Sequence, residues 1–409
     1  MYKTTTLKNN LEIITQHDSN KDIVTLSYLV KCGCYDEVRE NLGIAHFVEH
    51  MLFKGTTNRN AQQIFEEIEG IGGILNAATS FEHTRYYCTV PSEYWKMGID
   101  ILSDLIWNNL IPKDEFKKEK QVILEELKMY QDDSSSKVFD LLLKSLHPSY
   151  INRQTIGGTI ESVSNITRNQ MLKFIDKYYI PKNIVIIATG NVNHNELVSF
   201  IDKYCSSIEL QDYKLENKNN FVPDKLGHDD LIEKREIAQS HLAWGMFGPK
   251  PSEKEFIISE VVTSLLCGSS SSRLYQIIRE QQGLCYTIHM DNISLSDISI
   301  INGYVGLDHN NISNVKKIIL EEINKLKEEN VTEEELNRVK KYIIGTEKIS
   351  LETTSSKSSY ITDCLINKTE RTIDEYFEEI ESVTQDDIKI FAKKYFKEDN
   401  ICFTQIIPR

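Results

Sequence analysis

Apolar residues recur along this chain with two periods, and each period predicts an element. Around 43–53, Ile44, Phe47, Val48, Met51 and Leu52 cover most of a helical circumference at about 100° per residue. The polar arc left over carries His46, Glu49 and His50. Over 119–130, Val122, Ile123, Leu127, Met129 and Tyr130 define the apolar face of a second helix, with Lys120, Gln121 and Lys128 turned to solvent. Ile74 to Thr79 and Thr84 to Val90 read as two strands around a polar turn. Residues 166–184 and 383–401 align without gaps at an offset of 217 (383 − 166), with Thr167/Thr384, Phe174/Phe391, Lys177/Lys394, Tyr178/Tyr395, Asn183/Asn400 and Ile184/Ile401 identical. Each copy opens on a threonine suited to an N-cap, runs as an amphipathic helix and ends in a β-rich segment. The offset is about half of the 409 residues, which implies two homologous halves in an α+β fold. Residues 206–233 are polar and aperiodic and suit a linker. The expected division is therefore 1–205, linker 206–233, and 234–409.

His46, Glu49 and His50 spell HxxEH, the usual HExxH order with its glutamate on the far side. Two neutral imidazoles one turn apart can chelate one zinc ion, and an unligated carboxylate beside them can take a proton from water. An ordinary hydrogen-bonded surface cluster would use the same residues, so the motif needs a third ligand. Glu119 and Glu126 are seven apart and fall near the middle of the second helix's apolar face, while Glu125 falls well outside it. Carboxylates are almost never buried without a partner, so two on one buried stripe require a cation. Glu126 as zinc ligand and Glu119 orienting a ligand or water would meet that need. A buried ion pair with arginine or lysine would meet it too. Beyond the linker there is no HxxEH, and His241, His289 and His309 are far apart in sequence, so one zinc ion per chain is expected.

HxxEH followed 76 residues later (126 − 50) by the second glutamate of an E-x6-E helix resembles the pitrilysin/insulinase family of inverted zinc metallopeptidases. The wording GIAHFVEHMLFKGT and the chain length are most similar to the half-size branch, around the mitochondrial processing peptidase β-subunit and its bacterial relatives. The resemblance implies that His46, His50 and Glu126 bind zinc, that Glu49 is the general base, and that Glu119 assists. Residues 72–80 with 82–87 are similar to the family's edge strand, which implies that Leu75, Asn76, Ala77, Ala78 and Thr79 pair with substrate backbone. From pattern alone the same residues could form an ordinary core hairpin. Residues 273–286 are similar to a segment of the family's second half, which implies that Arg279 and Tyr286 hold the scissile carbonyl. Cys285 stands where alanine is common in relatives. The family's architecture implies antiparallel-rich sheets packed by helices, in halves closing like a clam-shell around extended peptides such as leader or targeting segments. It also implies a homodimer, or a heterodimer with an inactive homologous subunit. A non-catalytic assembly subunit is the competing reading, because some relatives keep the fold and lose the site.

Composition narrows the setting. A formal charge of −14 argues against nucleic-acid partners and favours basic or neutral peptides. No apolar run approaches membrane-spanning length, and the start lacks a signal-type apolar core, so no membrane insertion is expected. Eight scattered cysteines without a CxxC pair fit reduced thiols and a cytoplasmic location.

Overall fold

A computed structural model of the chain describes residues 2–146, 155–205, 208 and 230–409. Apart from Ile208 and 230–233, the expected linker lies outside the described residues. The chain forms two compact units from interleaved segments. One gathers the described residues of Met1–Lys128, Thr155–Asn219 and Ser350–Ile366, and the other those of Met129–Gln154, Asn220–Ile349 and Asn367–Arg409.

The first unit is built on β1 (Lys3–Thr6), β2 (Glu12–His17), β3 (Ile23–Val30), β4 (Ile74–Thr79), β5 (Thr84–Pro91) and β6 (Ile184–Gly190), in the spatial order β1-β2-β6-β3-β5-β4. Only β2 and β6 run parallel within it. The second unit carries β7 (Ile232–Arg235), β8 (Ser240–Gly248), β9 (Cys285–Leu295), β10 (Ile298–Leu307) and β11 (Cys402–Pro408), ordered β7-β11-β8-β10-β9. There the β7–β11 pair is parallel and the rest antiparallel. Strands β2 to β6 and β7 to β11 thus follow one topology twice. The aligned repeat lands on it in register: helices Arg168–Tyr178 and Gln385–Tyr395 lead into β6 and β11. The Thr167 side chain accepts from the Gln170 amide and the Thr384 side chain from the Asp387 amide, the N-caps expected of both copies.

Burial on both faces explains the unbroken apolar runs of the central strands. Every residue of β6 is buried, as are seven of the eight in β3. One face packs on helices of its own segment, with Leu26, Tyr28 and Ile186 meeting Phe47, Leu102 and Phe174 in one core. The other face carries Ile14, Leu29, Val185 and Ile187 and is covered by Ile361 of helix Thr354–Ile366. Polar positions on that face are answered in kind. Thr25 and Ser27 hydroxyls lie 2.8 and 2.9 Å from those of Thr354 and Ser358, and the Thr189 hydroxyl donates to the Thr354 carbonyl at 2.7 Å. The second sheet is covered likewise by helix Ser134–Leu146, where Thr404 donates its hydroxyl to the Val138 carbonyl at 3.1 Å. Each buried aliphatic side chain contributes about 1.5–3 kcal/mol, which holds the helices to one rotation on their sheet.

One expectation needs correction. Helix Lys113–Asp132 buries Phe116, Glu119, Ile123 and Leu127, whereas Val122, Met129 and Tyr130 are 52%, 62% and 51% exposed. The buried stripe is narrower than the apolar arc, because a helix on the edge of a core presents only residues three and four apart.

Candidate metal centre

Helix Ile44–Leu52 places His46, Glu49 and His50, and its start is fixed by backbone chemistry. Gly43 precedes it with φ +89, and a Cβ there would stand 2.3 Å from the Gly157 carbonyl oxygen, so only glycine fits. The buried Glu37 carboxylate accepts from the Gly43 amide at 2.7 Å and the Ala45 amide at 2.9 Å, meeting two of the helix's unpaired donors. Burial pushes the Glu37 carboxyl up to about 8, against the pull of those two amides. The apolar back of the helix, Ile44, Phe47, Val48, Met51 and Leu52, is buried as its pattern predicts.

On the polar arc the two imidazoles meet edge to face, with ring centroids 4.6 Å apart. Glu126 reaches both: its Oε1 lies 3.9 Å from His46 Nε2 and its Oε2 lies 3.6 Å from His50 Nε2. Ligand atoms of His46, His50 and Glu126 all fall within 4.8 Å of one another, and among the described residues no other three metal-type side chains converge so. Tetrahedral zinc with bonds of about 2.0–2.1 Å needs donors about 3.3–3.5 Å apart, so the set fits the ion with small adjustments. The donor chemistry fits as well. Burial, helped by the neighbouring His50, lowers His46 to about 4, so its ring is neutral and able to bind a cation. Burial opposes the charged form of His50, but the hydrogen bond it donates to Glu119 and the charges of Glu119, Glu126 and Glu49 outweigh it and raise its pKa. Glu119 Oε1 lies 2.9 Å from His50 Nδ1, which leaves Nε2 free to face the site.

Glu49 stands beside this set without joining it. Its Oε2 accepts the Thr79 hydroxyl hydrogen at 2.5 Å. Burial raises its carboxyl above the ordinary range, while Thr79 and His50 pull the other way. Glu125, its side chain 69% exposed, pairs with Lys128 at 2.7 Å and faces away from the imidazoles.

Strand β4 is the edge of the first sheet and pairs only with β5, from Ile74 opposite Thr89 to Thr79 opposite Thr84. Leu75, Ala77 and Thr79 are half-buried, whereas Asn76 and Ala78 are exposed. The Ala77 amide is met by Asn76 Oδ1 at 2.8 Å. Arg279 and Tyr286 belong to the second unit and are stacked on each other. The guanidinium lies 5.1 Å from the Tyr286 ring and 4.8 Å from that of Tyr275, whose hydroxyl also takes a hydrogen bond from Arg279 Nη1. Tyr286 is 78% exposed on β9.

The sequence alone did not point to Glu37, to Lys54, whose Nζ lies 2.7 Å from Glu119 Oε2, or to the bond between Thr79 and Glu49. Lys54 was within reach, because it stands four residues after His50 and so on the same side of a helix. Glu37 had no signal, since it caps the helix from an irregular segment.

Comparison with known proteins agrees with this geometry. Residues 12–159 match the family described as insulinase (peptidase family M16), and residues 165–343 match the peptidase M16 inactive domain. The uncharacterized zinc protease YmxG of Bacillus subtilis (strain 168) is 32% identical over 98% of this chain and 97% of its own length. An uncharacterized zinc protease of Rickettsia felis is 33% identical over 87% of this chain and 85% of its own. Two solved structures share the fold at lower identity. A protease from Helicobacter pylori superposes with a TM-score of 0.93 at 23% identity, covering 100% of this chain and 99% of that one. A chain of complex III2 from Candida albicans does so at 0.83 and 18%, covering 99% and 95%.

Proposed function

Since the chain belongs to the insulinase family of zinc proteases, peptidase family M16, we propose that it cuts extended or unfolded peptides, of the leader or targeting kind, as an endopeptidase. The observation that carries the reading is the convergence of His46, His50 and Glu126 within 4.8 Å, with Glu49 alongside and unligated. Bound by these three side chains, one zinc ion per chain would lower the pKa of water to about 7 and polarise the scissile carbonyl. Glu49 takes the proton from the attacking water and passes it to the leaving amine, a role its raised pKa suits. Glu119 keeps His50 in the tautomer that presents Nε2. The open edge of β4, Leu75 to Thr79, takes the substrate backbone as an added strand, which gives affinity without sequence preference. In this reading Arg279 and Tyr286 act on the scissile carbonyl as charge develops there. The chain works as a dimer, with itself or with an inactive homologue, in a reducing compartment. Among the described residues no helix is long and apolar enough to cross a membrane.

The test is Glu49→Gln in the full chain. Zinc content and secondary structure should be unchanged, and cleavage of a quenched peptide should fall by at least about 100-fold, the usual contribution of a general base. Loss of the metal instead would make Glu49 a ligand and overturn the mechanism. A wild-type chain that binds zinc but cleaves no peptide would favour the assembly-subunit reading, which the intact set of four residues argues against.

A further inference from the structure

We infer that Lys54 is a positioning residue of the metal centre, holding Glu119 in the orientation from which Glu119 fixes His50. This rests on the zinc reading above and adds to it a residue outside the HxxEH and E-x6-E motifs. Glu119 is buried, and both of its oxygens are engaged from one short stretch of chain. Its Oε1 lies 2.9 Å from His50 Nδ1 and its Oε2 lies 2.7 Å from Lys54 Nζ. Lys54 follows His50 by four residues, just beyond the end of helix Ile44–Leu52, so the imidazole and the ammonium bracket one carboxylate from the same side. The chain there still turns helically, since Phe53 has φ −80 and ψ −1.

Electrostatics gives the bracket its purpose. Three carboxylates, Glu49, Glu119 and Glu126, crowd the two imidazoles. A bound dication together with the Lys54 ammonium matches those three negative charges. Without Lys54, one oxygen of the buried Glu119 would lose its partner, and the side chain would be free to turn toward the cation and compete with Glu126. With Lys54 in place, Glu119 stays on the Nδ1 side of His50 and Nε2 keeps its aim. Held there, the Glu119 carboxylate accepts the imidazole hydrogen at Nδ1, which raises the basicity of the ring as a ligand.

Zinc affinity of the full-length chain, measured by competition with a chromogenic chelator, decides the matter without reference to activity. Lys54→Met should weaken zinc about 10- to 100-fold, the usual effect of removing such an outer partner. Lys54→Arg, which keeps the cation, should stay close to wild type. The double variant Lys54→Met with Glu119→Gln should bind no more weakly than Glu119→Gln alone, because Lys54 acts through Glu119. Lys54→Gln carries the same expectation as Lys54→Met and serves if the methionine disturbs folding as judged by circular dichroism. Folded Lys54 variants with wild-type zinc affinity, or losses that add in the double variant, would overturn the inference. A wild-type chain that takes up no zinc would instead overturn the metal reading beneath it.

Discussion

Thr79 donates its hydroxyl hydrogen to the Glu49 carboxylate at 2.5 Å, tying the edge strand of the first sheet to the glutamate of HxxEH. Thr79 closes β4, opposite Thr84, so its side chain is set by the ladder and not by a loop. The Thr79 amide bonds Glu49 as well, and both of these donors are neutral. The bond therefore aims the carboxylate without neutralising it.

Replacing that hydroxyl should separate turnover from binding. Thr79→Val keeps the shape and β-branching but leaves Glu49 short of a donor, a loss of about 1–2 kcal/mol in hydrogen bonding to a charged group. The rate constant kcat should fall about 5- to 30-fold, while KM and zinc content hold. Thr79→Ser restores the hydroxyl and should restore most of kcat. If valine and serine behave alike, the hydroxyl has no part in aiming Glu49.

Glu125 and Glu126 are adjacent, and helix geometry gives them opposite fates. Glu126 lies about 20° from the buried Glu119 on the helical wheel, and Glu125 about 100° further round. Phe116, Ile123 and Leu127 pin the rotation by their burial. Glu126→Gln should lose most bound zinc and activity. Glu125→Gln removes only the exposed pair with Lys128, worth a few tenths of a kcal/mol, and should be nearly silent. Metal analysis of the two purified variants separates them, and zinc lost from the Glu125 variant alone would reverse the assignment.

The parts of the fold legible in the sequence were those where one physical rule acts locally. The HxxEH helix declared itself by its apolar back, strand β4 by the polar turn that follows it, and the repeated helix by Thr167 and Thr384 at its two starts. Helix Lys113–Asp132 was misjudged at its rim, because Val122 and Met129 are apolar but meet no core. Its buried carboxylates were the better guide, since burying Glu119 demands partners whereas exposing a valine costs little. Other features are tertiary and left no periodic trace. Helix Ser134–Leu146 follows the glutamate helix in sequence yet packs on β8 and β11, and helix Thr354–Ile366 packs on β3 and β6. Amphipathic pattern says that a helix has a face to bury, but not which sheet will bury it.

Glu260 makes the stability of the second unit depend on pH, in a direction its surroundings fix. It lies on helix Lys254–Cys267, where burial pushes its carboxyl up to about 7 from an ordinary 4.5. Hydrogen bonding to Tyr376 and the charge of Arg371 pull it down, and the nearby Glu347 and Glu379 push it further up. A carboxyl whose pKa is higher folded than unfolded favours the fold when protonated. Its contribution is fully present below the unfolded value of about 4.5 and is lost as pH rises through about 7. Glu260→Gln mimics the protonated form at every pH. Thermal melts of both proteins should therefore coincide near pH 4, and near pH 8 the variant should be the more stable, by at most about 3 kcal/mol. Other titrating groups, those of the metal centre included, are common to both proteins, so the difference between the curves isolates Glu260. Curves that stay parallel from pH 4 to 8 would show that Glu260 titrates alike in the folded and unfolded chain.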